Sequence, residues 1–72
     1  MVTRVQHYIV FEDGVILELD RVEDAWPCAR DNGYTVADYC RRWWLESHEY
    51  DEAGEPLGEL AVFFDPREAA DV

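Results

Sequence analysis

Two runs of alternating apolar residues flank Glu12-Asp13-Gly14, and Asp-Gly between such runs is a strong short-range signal for a β-hairpin. Read as strands over Arg4 to Asp20, they place Val5, His7, Ile9 and Phe11 on one face with Val15, Leu17 and Leu19. Arg4, Gln6, Tyr8, Val10 and Glu12 fall on the other face with Ile16, Glu18 and Asp20. The first face is the expected core face, because a side-chain period of two commits a whole strand face to one environment.

A short helix is expected from Asp24 to Asn32, with Asp24 as N-cap and Asn32-Gly33 as the stop. Pro27 then lies in the first turn, where its missing N–H is no loss. A second helix is expected from Thr35 to Glu46. Thr35-x-x-Asp38 is a capping-box variant, and Val36, Tyr39, Cys40, Trp43 and Trp44 follow helical spacing. The alternation of Trp44, Glu46, His48 and Tyr50 supports a competing strand over Arg41 to Tyr50.

From His48 to Asp65 a second hairpin is expected. It turns through Glu52-Ala53-Gly54-Glu55-Pro56, with Leu60, Val62 and Phe64 alternating on its return strand. The tail from Pro66 to Val72 reads as frayed or weakly helical. The expected fold is a single acidic α+β domain over residues 1–72: two antiparallel hairpins in one small sheet, packed against one or two short helices.

At 72 residues there is room for one core, and a domain this small buries only about 60% of its unfolded-chain surface. Apolar residues at 49% and aromatics at 14% still set it apart from chains too polar to fold. No apolar run reaches membrane-spanning length, and the first residues lack signal-peptide order, so a cytoplasmic protein is expected. Cys28 and Cys40 show no CxxC spacing and read as free thiols.

Seventeen acidic residues against six arginines, with no lysine, give a formal charge of −11. Such a field repels nucleic acid and anionic membranes and attracts basic surfaces. The plainer reading is that acidity keeps an aromatic-rich chain soluble. The carboxylates concentrate in the second half: Glu46, Glu49, Asp51, Glu52, Glu55 and Glu59 share a stretch without Lys or Arg. On a hairpin they could occupy the electrostatic niche of phosphate in a basic groove, against the plainer reading of a solvated loop. Trp43 and Trp44 are neighbours that cannot face one way, so Trp44 is a candidate interface anchor; the alternative is that both are core.

Other chemistries find less support. Ala29-x-x-x-Gly33 followed by Thr35-Val36 has helix-turn-helix spacing, but only Arg30, Arg41 and Arg42 would face DNA, so direct nucleic-acid binding is not expected. Over ten residues, Thr35 to Trp44, the chain resembles the opening helix of phage-integrase core-binding domains, which implies a helix there. His7, His48, Cys28 and Cys40 match no structural zinc pattern, and no metal or cofactor is expected. Ser47 and His48 are adjacent, so on a strand they point to opposite faces and cannot share a proton. No catalytic role is expected.

The expected function is a non-catalytic interaction protein. Its acidic surface, anchored by Trp44, would bind and inhibit a basic, nucleic-acid-binding protein in the manner of a DNA mimic, a role that suits a phage or mobile element. A small helix-turn-helix regulator and a structural subunit, with a homodimer open, are the alternatives.

Overall fold

In the computed structural model, residues 3–62 and 64–67 are described. Strand β1, Arg4–Phe11, turns through Glu12-Asp13-Gly14 into β2, Ile16–Leu19. Asp13 makes the turn local chemistry, since its carboxylate accepts the Val15 N–H at 3.0 Å, and Gly14 takes φ +92°, open to glycine without strain. The register pairs His7 with Leu19 and Ile9 with Leu17, which gives the two faces read from the alternation.

A 3-10 turn at Val22–Asp24 leads into α1, Ala25–Asp31. Pro27 sits in its first turn, and Asn32-Gly33 ends it with Gly33 at φ +88°. Asp24 holds the N-cap position but makes no side-chain cap bond; its carboxylate faces Arg21 instead, at 3.2 Å. Ala25 and Ala29 are buried, and their small side chains let the helix lie close on the sheet.

The expected second helix over Thr35 to Glu46 does not form. The capping box does: Asp38 accepts the Thr35 N–H at 2.8 Å and nucleates a single 3-10 turn, Val36–Asp38. Tyr39 then takes extended dihedrals and Cys40 a left-handed φ of +67°, which stops helical propagation. Strand β3, Trp43–Tyr50, begins at once and pairs with β1 along its whole length, from Arg4 opposite Tyr50 to Phe11 opposite Trp43. Tertiary pairing overrides the helical spacing, and the competing strand reading of this segment is the one realised. The helix-turn-helix corner and the integrase-like helix fall with the second helix.

The second hairpin closes through residues 51–55 into β4, Pro56–Leu60, giving a four-stranded antiparallel sheet in the order β2-β1-β3-β4. Its ladder slips between Glu49 and Tyr50, opposite Gly58, whose φ of +141° only glycine adopts readily. The return strand stops at Leu60, so Val62 and Phe64 do not alternate along it as expected. Phe64 instead turns inward, its ring edge-on to Tyr39 at 5.6 Å and 6.4 Å from Trp43. Of the tail, Pro66 and Arg67 are helical and Pro66 is buried; residues 68–72 lie outside the described residues.

The core lies between one sheet face and α1: Ile9, Phe11, Leu19, Ala25, Ala29 and Trp43, with Trp26, Tyr34, Tyr39, Leu45 and Phe64 around them. Trp43 is fully buried, and its indole N–H donates to the Thr35 carbonyl at 3.0 Å, the partner a buried Trp needs. The structure is a small α+β fold.

Candidate functional site

The face of the sheet opposite α1 is the part of the molecule least accounted for by folding. Paired residues in an antiparallel ladder point the same way, so register alone builds this face. One row runs Glu18, Tyr8, Glu46; the next runs Gln6, His48, Glu59; flanking them are Ile16, Val10, Trp44 on one side and Arg4, Tyr50 on the other. Carboxylates and rings therefore interleave across this face.

Side-chain contacts order the rings. Tyr8 meets His48 edge-on, with centroids 5.9 Å apart and planes at 68°. A hydrogen bond to Tyr50, with burial second, lifts the Tyr8 phenol above its ordinary pKa, so it stays neutral. Arg4 lies over the Tyr50 ring at 5.8 Å. Tyr8, Ile16, Glu46, His48 and Tyr50 line a shallow depression of about 290 Å³. Val10 is buried in the centre of the face, Trp44 is half-buried, and Ile16 at the sheet edge is 58% exposed, a surplus of apolar surface for a polar platform.

Charge is distributed unevenly. Among the described residues, the ion pairs are Arg21–Asp24, Arg30–Asp31 and Arg42 with both Glu12 and Asp38; none joins residues of these strand rows, since Glu12 and Arg42 lie in turns just outside β1 and β3. Aspartates meanwhile serve the backbone: Asp13, Asp38, Asp51 and Asp65 each accept main-chain N–H groups at turns or caps. The short Asp side chain reaches its own local backbone, whereas Glu projects past it. What remains to face outward from the strands is Glu18, Glu46 and Glu59.

The residues expected to form a binding surface thus separate. Trp44, Glu46 and Glu59 come together on the open face. Glu49, opposite Val5 and Gly58, lies on the other side of the sheet. Asp51 is committed to the hairpin turn, accepting from Ala53 and Glu55 at 2.9 Å each, and Glu52 and Glu55 are exposed in that turn. Tyr8, Glu18 and Tyr50 were not singled out from sequence, and His48 was weighed only as a metal ligand and beside Ser47. Their signal was present in the alternation of the three strands that carry them, but strand order was needed to join them.

The residues weighed for other chemistry are placed as follows. Ser47 and His48 do face opposite ways. Ser47 is buried on the helix side, where a 2.7 Å hydrogen bond joins its Oγ to Nδ1 of the half-buried His7, so the polar atoms of the pair satisfy each other. Cys28 and Cys40 are free, and burial, then the Asp31 charge, raises the Cys28 thiol pKa. Among the described residues, Glu46, His48 and Glu59 form a possible metal-ligating group, with one ligand atom from each within 4.8 Å of the others. No helix among the described residues is long and apolar enough to cross a membrane. Compared with family models, curated proteins and solved structures, the chain matches none, and function has to be argued from this geometry alone.

Proposed function

We propose that the chain is a non-catalytic binding protein whose open sheet face takes a basic, nucleic-acid-binding partner and inhibits it by occupying the place of phosphate. The observation that carries the reading is the interleaving of Glu18, Glu46 and Glu59 with Tyr8, Trp44 and Tyr50 in strand rows that hold no ion pair among the described residues. Arginine is recognised by this combination: carboxylate accepts the guanidinium in a charge-assisted bond, and an adjacent ring face stacks on it. The free thiols fit a reducing compartment, in which this reading places the protein in the cytoplasm.

Charge reversal tests the proposal. Glu18→Lys, Glu46→Lys and Glu59→Lys together should weaken capture of an arginine-rich peptide, and displacement of duplex DNA from it, far more than Glu23→Lys, Asp31→Lys and Glu55→Lys. Both triples change net charge equally, and both sets are surface residues. Equal losses would mean that only overall charge matters and that the acidity serves solubility.

A further inference from the structure

The open face also carries a convergence of donor atoms that partner binding does not require. Glu46 and His48 stand two residues apart on β3 and share a face, and Glu59 is the cross-strand partner of His48 on β4. One carboxylate oxygen from each glutamate and one imidazole nitrogen lie within 4.8 Å of one another. Around a tetrahedral ion with bonds of about 2.1 Å, ligand atoms sit about 3.4 Å apart, so rotamer adjustment closes the triad without moving a strand. Two carboxylates balance a divalent charge.

We propose that Glu46, His48 and Glu59 form a binding site for a single divalent transition-metal ion of the zinc type. The imidazole nitrogen selects against calcium and magnesium, which take oxygen shells, and in favour of the borderline ions. Tyr8 meets the His48 ring edge-on, and Glu46 and His48 line the depression together with Tyr8 and Tyr50. Three protein ligands and an open position leave room for water or for a ligand brought by a partner. The site shares Glu46 and Glu59 with the proposed binding face but stands on its own geometry.

The test uses the full chain carrying Cys28→Ser and Cys40→Ser, so that thiols do not compete for the ion. Calorimetric titration with zinc chloride should give one site per chain. Either His48→Ala or Glu59→Gln should weaken it by at least about tenfold, the lower end of what losing even an outer-shell partner of a metal site costs. In imidazole nitrogen spectra of the unsubstituted-site protein, zinc should shift the His48 ring and leave the His7 ring in place, and magnesium at equal concentration should shift neither. Zinc binding no tighter than magnesium, equal affinity in the His48→Ala protein, or a shift at His7 instead of His48 would each overturn the site. No arm involves a basic peptide, so this failure and failure of the partner reading remain distinguishable.

Discussion

The two faces of the sheet are made by the same strands, often by adjacent residues, yet they are used in opposite ways. On the helix side, Ile9, Phe11, Leu19 and Trp43 are withdrawn from water, and the one buried polar side chain among the described residues, Ser47, is paired with His7. On the open side, Val10 alone is buried among the described residues, and rings and carboxylates share a surface that none of the described residues covers. The difference teaches where selection for folding stops. A domain this small needs one well-packed face to exceed its conformational entropy, and the proposed binding uses the face that this packing does not need.

Neighbouring residues on β3 make the contrast directly testable. Trp43→Ala should remove the largest piece of the core and cost about 3–5 kcal/mol, enough to unfold much of a marginal domain in a urea melt. Trp44→Ala, one residue along, should leave a folded protein and instead weaken capture of an arginine-rich peptide. Equal destabilisation by both would erase the distinction between the faces.

The next pair is milder. Ser47→Ala leaves the buried side of the His7 ring without its partner and should cost about 1–3 kcal/mol by chemical denaturation, whereas His48→Gln on the open face should stay within about 0.5 kcal/mol. Similar losses would show that the open face is also structural.

A smaller effect, visible only in acid, concerns Asp38. The Thr35 backbone N–H, ahead of smaller contributions from the Thr35 side chain, Arg42 and Arg41, holds its carboxyl below the ordinary value of 3.8. A folded-state pKa below the unfolded one means that this contribution to stability is complete above the unfolded value and is lost as pH falls through the folded one. Asp38→Asn should therefore lower the melting temperature at neutral pH and flatten its decline below about pH 4. An unchanged acid limb would remove Asp38 from the account.

The smallest effect expected is a gain. Cys40 holds a left-handed conformation that costs a non-glycine residue about 1–2 kcal/mol, partly offset in glycine by about 0.5–1 kcal/mol of unfolded-chain entropy. Cys40→Gly should thus raise stability by up to about 1.5 kcal/mol. A loss would place some contact of the Cys40 side chain above its backbone strain.

Much of the fold was legible because its signals were local. Asp13-Gly14, the alternation on either side, Pro27 in a first turn and the Asn32-Gly33 stop each act within a few residues, and each appears as read. The segment after Thr35 was ambiguous because two periods coexist in it. Val36, Tyr39, Cys40, Trp43 and Trp44 satisfy a helix, while Trp44, Glu46, His48 and Tyr50 satisfy a strand; only the eight-residue ladder with β1 decides between them. The grouping of residues on the proposed binding face was half legible for a related reason. Clustering along the chain grouped Glu46 with Glu49 and Asp51, but a sheet sorts residues by parity and pairing. Glu49 therefore goes to the far side, Asp51 to a turn, and Glu18 arrives from a strand thirty residues away.

The central claim, that the open face is a binding platform for a basic partner, is tested most directly by titrating the nitrogen-labelled protein with an arginine-rich peptide and following backbone and indole resonances. The account predicts that the shifts concentrate on Tyr8, Glu18, Trp44, Glu46, His48, Tyr50 and Glu59, that they fade steeply with added salt, and that α1 stays still. Shifts spread evenly over exposed carboxylates such as Glu12, Glu23, Asp31 and Glu55, or centred on the helix side, would contradict it.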